Sequence, residues 1–205
     1  MRARGEAVLR GSAVPRERIV QEALGIVTQD GAEGVTIRAL AQRLGLSAGS
    51  IYSHFRSKDE LLQQVAAQGF ERLMKEAIGA VELADPREAM LEGGRRYLSF
   101  AMENPSLYRL MFQEVDVARF RVESSVPVPG RALYDLYRDL YARAVESGAI
   151  RDIDPEIQTL IGWSAVHGFA MLALSGRLPP PRMPDAELAQ IRDAFLGVIT
   201  DALRP

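Results

Sequence analysis

The tightest constraint on how this chain folds lies in residues 35–61, VTIRALAQRLGLSAGSIYSHFRSKDEL, which spell two short helices, a tight turn and a capped third helix. Thr36 is a good N-cap, and Ile37, Leu40, Ala41 and Leu44 recur at the spacing of one buried helical face. Gly45 stops that helix, because glycine takes a positive φ without steric cost and lets Leu44-Gly45-Leu46 reverse direction with a leucine on either side. Ser47 caps the next helix, in which only Ile51 and Phe55 are strongly apolar, one turn apart. Residues 47–55 should therefore form an exposed rod that leaves Ala48, Gly49, Ser50, Tyr52, Ser53 and His54 to solvent. A helix with so little apolar surface calls for a partner outside the protein.

The exposed residues suit a nucleic acid. Ala48, Gly49 and Ser50 are small enough for the helix to sink into a major groove about 12 Å wide, while Ser50, Tyr52 and His54 offer polar groups to bases and phosphates. Ser57 and Glu60 form a Ser-x-x-Glu capping box, so Lys58 stands at a helix N-terminus whose free N–H groups and dipole favour a phosphate. Any one of these residues also fits a plain polar helix face; the whole constellation favours DNA.

Residues 36–61 resemble the DNA-binding signature of the TetR family of bacterial transcriptional regulators: Thr-x-Arg-x-Leu-Ala, Leu-Gly, Ser-x-x-x-Ile-Tyr-x-His-Phe, then Lys-x-x-Leu. The resemblance implies that Thr36 and His54 hold phosphates, that Arg38, Ala48, Gly49 and Ser50 approach base edges, and that Tyr52 and Lys58 clamp the backbone. Ser47 and Ser53 complete the expected DNA-facing set. Because Ala48, Gly49 and Ser53 stand where many relatives carry larger polar groups, specificity is expected to lean on Arg38, Ser50 and DNA shape.

Charge and composition agree. The net charge is −2, yet residues 1–58 hold nine Arg or Lys against five Asp or Glu. The basic end is the DNA end. For the arm over residues 1–14, with Arg2, Arg4 and Arg10, two readings stay open, a minor-groove contact and a solvated tail. The chain has no cysteine, which fits a reducing cytoplasm. No run of about 18 apolar residues and no N-terminal hydrophobic stretch stands out, so neither a membrane partner nor export is expected.

The expected fold is all-α, with about nine helices: an N-terminal three-helix DNA-binding domain over residues 15–60, then a helical effector-binding and dimerisation domain over residues 61–205. Pro15 starts the first helix, and Gly31 with Gly34 ends it. The fourth runs to about Leu83, a rod of roughly 35 Å. Asp85-Pro86, Asn104-Pro105 and Asp154-Pro155 cap the fifth, sixth and eighth; the seventh spans about 130–147; a proline-rich connector over residues 179–184 precedes the ninth, capped by Asp185 and ending near Leu203.

The eighth helix is apolar nearly all round and must be covered on more than one side. A two-fold dimer through helices eight and nine is the economical solution, with Leu160, Phe169, Leu172, Ile191, Phe195, Val198 and Ile199 at the interface. Two recognition helices about 34–36 Å apart then read a palindrome. Tyr97, Phe100, Met102, Tyr108, Met111 and Phe112, with Trp163 and His167, mark the expected effector site, suited to a largely apolar molecule. Each of these also fits an ordinary core position. Trp163-x-x-x-His167-Gly168 resembles a motif of one C-terminal subgroup of TetR regulators.

The sequence thus points to a regulator, most simply a repressor, that an effector releases from double-stranded DNA. A helical module that docks a protein is the alternative. An enzyme is not expected: there are two histidines, no cysteine and no phosphate-binding loop, and Ser164 with His167 lacks an orienting acid. No cofactor and no metal is expected.

Overall fold

The computed structural model describes residues 14–114, 130–178 and 184–205. Among the described residues the regular structure is helical: α1 (Arg16–Asp30), α2 (Ile37–Leu44), α3 (Ala48–Tyr52), α4 (Lys58–Val81), α5 (Pro86–Glu103), α6 (Pro105–Arg109), α7 (Arg131–Glu146), α8 (Pro155–Leu174) and α9 (Asp185–Asp201). A 3₁₀ turn, Ala32–Gly34, links α1 to α2, and α6 passes into a π-helical turn, Leu110–Glu114. The arm over residues 1–13 and most of the proline-rich connector lie outside the described residues.

Local chemistry explains most boundaries. Gly45 adopts φ 66°, ψ 30°, and the Leu46 amide donates back to Ala41 O at 2.8 Å, closing α2 with a left-handed turn. Asp85 and Asp154 accept the Arg87 and Glu156 amides at 2.8 Å, each followed by proline at the first helical position. Five expectations are corrected. Pro15 is the residue before α1 rather than its first member. The Asn104 amide donates to Phe100 O at 3.0 Å, closing α5 instead of capping α6. Asp185 is the first helical residue of α9, with Pro184 in the cap position, and α9 ends at Asp201 rather than Leu203. α4 stops at Val81, two residues short of Leu83.

One continuous core runs through the N-terminal and C-terminal regions. α1 turns Ile19, Val20, Ala23, Leu24, Ile26 and Val27 inward, and it packs on α2, α4 and α6. The 24 residues of α4 form a rod of about 36 Å that touches α1, α5, α6 and α7 and so joins the two regions. Gly69 permits this packing: a Cβ there would stand 2.5 Å from Met111 Sδ. A second cluster, including Val81, Met90, Leu140, Ile150 and Leu203, closes the far end.

α8 has 20 residues and contains an 18-residue stretch with a mean hydropathy of 1.4, long and apolar enough by length and composition alone to cross a bilayer, a property that buried core helices share. Gln158, Thr159 and His167 interrupt its sequence, so it holds no continuous apolar run. In this fold α8 packs on α5 and α7 through one side, burying Phe169 and Ala170.

Candidate nucleic-acid interface and effector site

Three side-chain caps set the geometry of the first region. Thr36 Oγ1 accepts the Ala39 amide, Ser47 Oγ the Ser50 amide and Ser57 Oγ the Glu60 amide, each at 3.1 Å. Each contributes about 1 kcal/mol and fixes where its helix begins. The reciprocal arm of the Ser57 box differs from expectation: the Glu60 carboxylate accepts the Arg56 amide at 2.8 Å, one residue earlier than the box places it. Burial pushes the Glu60 carboxyl up, but hydrogen bonds from the Arg56 amide and guanidinium and the charges of Arg56 and Arg16 outweigh it, so its pKa falls below the ordinary value.

The second helix of the motif is shorter than a rod over residues 47–55. α3 covers only Ala48–Tyr52, and Phe55 lies beyond it. Ile51 and Phe55 still form the buried seam, at 0% and 1% exposure. Ser47, Ala48, Gly49, Tyr52 and Ser53 face solvent on the other side, as do Thr36 and Arg38, while Ser50, His54 and Lys58 are half-buried. The Ser47 and Ser50 hydroxyls lie 2.9 Å apart and Ser53 Oγ donates to Ser50 O at 2.8 Å, so these small side chains brace the turn. The side chains of Arg38, Tyr52 and Lys58 make no hydrogen bond among the described residues and stay available to a partner.

Sequence reasoning missed Arg16. Its guanidinium sits 4.4 Å over the Phe55 ring, donates to Gln64 Oε1 at 3.1 Å and pairs with Glu60 at 3.6 Å. It ties the start of α1 to the end of the recognition segment and the start of α4. No local pattern announces it, because its partners lie 39 to 48 positions away.

The C-terminal region brings five of the eight expected effector residues together. Trp163 Nε1 donates to Tyr97 Oη at 3.3 Å, the Tyr97 and Tyr108 hydroxyls are 2.9 Å apart, and Tyr108 Oη lies 2.7 Å from His167 Nδ1. Phe112 stands 4.8 Å, ring to ring, from both Tyr108 and His167. Phe70 on α4 and Tyr134 on α7, which sequence reasoning did not single out, flank Phe112 and Trp163 at 5.2 and 6.3 Å. Burial pushes the Tyr97 hydroxyl up to about 12, raises Tyr108 further and lowers His167. All three are therefore held neutral at pH 7. Phe100, Met102 and Met111 do not join this cluster: Phe100 lines an open groove with Arg72, Lys75 and Arg96, Met111 packs on Gly69, and Met102 packs half-buried against the core.

The expected interface residues divide. Phe169 is buried and stacks on Phe195 at 4.9 Å within the same chain, and Ile199 is half-buried. Leu160, Leu172, Ile191 and Val198 are exposed, Val198 by 71%, beside exposed Ile157 and Ile161.

Comparison with known proteins agrees with both regions. Residues 19–65 match the family of bacterial regulatory proteins, tetR family, and residues 90–195 match the tetracyclin repressor-like C-terminal domain. The chain belongs to the TetR family. Among its relatives, the HTH-type transcriptional repressor AcnR of Corynebacterium glutamicum is 33% identical over 78% of this chain and 82% of that protein. The match to the HTH-type regulator YobS of Bacillus subtilis is 28% identical and shorter, spanning 53% of this chain and 57% of YobS. A solved structure of a protein of unknown function from Rhodococcus sp. RHA1 superposes with a TM-score of 0.76 at 25% identity, over 98% of this chain and 100% of that one. As a TetR-family member the protein is a DNA-binding transcriptional regulator, and α1 to α3 with the start of α4 constitute its helix-turn-helix region.

Proposed function

We propose that this TetR regulator represses transcription as a homodimer bound to a palindromic operator and is released by a small, largely apolar effector. The observation that carries the reading is α3: anchored by Ile51 and Phe55, capped by Ser47, and otherwise turned to solvent with small or polar side chains. In this reading Arg38, Ala48, Gly49 and Ser50 approach base edges, Thr36, Tyr52, His54 and Lys58 contact the sugar-phosphate chain, and Ser47 and Ser53 support the turn. AcnR is a transcriptional repressor, which favours repression here.

Exposed Leu160, Leu172, Ile191 and Val198 support dimerisation through α8 and α9, which would withdraw this apolar surface from water. The aromatic cluster of Tyr97, Tyr108, Phe112, Trp163 and His167 supports an effector site: mostly apolar rings with a few converging polar groups. Effector entry would move α6 and α8; α6 and α4 both pack on α1, which reaches α3 through α2. A coupling of about 1–3 kcal/mol changes operator affinity by about 5–150-fold, enough for derepression. Acting on DNA, the protein works in the cytoplasm, and the reading contains no catalytic step.

The test is a titration of the purified chain against genomic fragments that it selects, at several salt concentrations. Phosphate contacts release counterions, so affinity should fall steeply and linearly on a log–log plot. Affinity independent of salt would refute DNA binding and favour the protein-docking alternative.

A further inference from the structure

The hydrogen bonds joining Trp163 to His167 have a forced direction. An indole N–H only donates, so Tyr97 accepts from Trp163 across 3.3 Å. Tyr97 and Tyr108 are 3% and 0% exposed, and each hydroxyl hydrogen must find its acceptor inside the protein. Among the described residues, the acceptors within reach are the two hydroxyl oxygens themselves, 2.9 Å apart, and His167 Nδ1. Nδ1 is 2.7 Å from Tyr108 and 3.3 Å from Tyr97.

Two hydroxyl hydrogens cannot both sit between two hydroxyl oxygens. Once one tyrosine donates to the other, the second hydrogen has only Nδ1 to go to. Whichever tyrosine is the second donor, Nδ1 must offer its lone pair. A hydrogen on Nδ1 would leave one buried hydroxyl without an acceptor. A neutral imidazole that accepts at Nδ1 carries its hydrogen on Nε2. That nitrogen lies across the ring from Tyr108 and donates to nothing among the described residues. Burial disfavours the doubly protonated ring as well.

We propose that Tyr97 and Tyr108 lock His167 as the neutral Nε2–H tautomer, and that this N–H selects effectors carrying a hydrogen-bond acceptor, such as a ketone or ester oxygen. The selectivity rests on the effector site lying at this cluster, as inferred above. Phe112 and Trp163 stand beside the imidazole at 4.8 and 6.2 Å and provide apolar surface for the rest of such a molecule. Trp163 is 42% exposed, so one edge of the cluster opens outward. The two tyrosines are positioning residues, because they act through the histidine; His167 is the residue that would touch the effector.

Two measurements on the full chain test this. The first is ring ¹H–¹⁵N correlation spectroscopy of the ligand-free protein; it holds two histidines, and His167→Phe assigns the signals. His167 should show a protonated Nε2 and a bare Nδ1, and Tyr108→Phe should weaken that preference. A protonated Nδ1 in the unsubstituted protein overturns the lock.

The second uses the sole tryptophan, Trp163, whose emission reports directly on the cluster. The probes are 2-octanone and 2-methyl-1-octene, which share a shape and differ by the carbonyl oxygen. The ratio of ketone to alkene affinity should fall about tenfold in His167→Phe, the effect of losing one buried hydrogen bond. An unchanged ratio overturns the selectivity. Silence of Trp163 toward both probes overturns the effector-site reading, while the ring nitrogens decide the tautomer independently.

Discussion

Gly45→Ala isolates the turn between α2 and α3 as a purely backbone feature. Gly45 has φ +66°, and a Cβ built there meets nothing within 4 Å, so the substitution adds no clash. A non-glycine residue in the left-handed region loses about 1–2 kcal/mol. The stiffer unfolded chain returns about 0.4–1 kcal/mol. The net expectation is a loss of about 1 kcal/mol, or about 2–4 °C in melting temperature for a chain of this size. Gly25→Ala is the matched control. It lies mid-α1 on an exposed face, its Cβ also meets nothing within 4 Å, and it has no positive φ. That change should stabilise by about 0.5–1 kcal/mol, because alanine loses less freedom in a helix. The two variants therefore move in opposite directions. Urea and thermal unfolding at one fixed protomer concentration measure both. If Gly45→Ala proves as stable as Gly25→Ala, the left-handed closure of α2 is not what sets the turn.

Lys58→Ala should weaken binding to all DNA sequences alike and reduce the slope of log affinity against log salt by about one, whereas Arg38→Ala should also relax sequence preference; fluorescence anisotropy over a salt series separates them. Val198→Asp places a charge on a residue 71% exposed in the single chain, so it should leave protomer folding intact yet shift the assembly toward monomer in analytical ultracentrifugation. Phe195→Asp should instead unfold the protein, since Phe195 stacks on Phe169 within the chain. Burial lowers the His167 pKa below the value of 6.5 that it has when unfolded, so the unfolded state binds more protons between the two values. Stability from this group is present above about pH 6.5 and should decline as pH falls through the unfolded value toward the folded one. The carboxylates with lowered pKa, Glu60, Asp135 and Asp193, start from 4.5 or below and lose their contribution at more acid pH. Chemical denaturation between pH 7.5 and 5.5 should show the decline in the parent and a flatter profile in His167→Phe.

Much of the DNA-binding region is legible in the chain because its devices are local. Thr36, Ser47 and Ser57 each cap an amide three residues on, Gly45 closes a helix whose last turn is adjacent, and Ile51 with Phe55 defines the buried side one turn apart. Rules of that reach need no knowledge of the rest of the fold. Asn104 and Asp185 show their limit: a good capping residue sits beside a helix start, yet the Asn104 amide goes back to α5 and Asp185 enters α9. The α3 boundary shows the same limit, since spacing alone does not distinguish a residue inside a helix from one just past it on the same buried side.

Partnerships across the chain were decided only by tertiary packing. An apolar residue on a helix is equally suited to a core, an effector site or an interface until the neighbouring helix is in place. Packing turned Phe169 onto Phe195, set Phe100 apart from the aromatic cluster and left Leu160 and Val198 outside. It also joined Tyr97, Tyr108 and His167, up to 70 positions apart, into one polar chain. Sequence determined that this protein would be helical and would turn one side of a slim helix to solvent, because backbone caps, turns and periodicity act over three or four residues. The fold alone determined which rings meet, because burial and hydrogen-bond directions depend on groups that only the assembled core brings within reach.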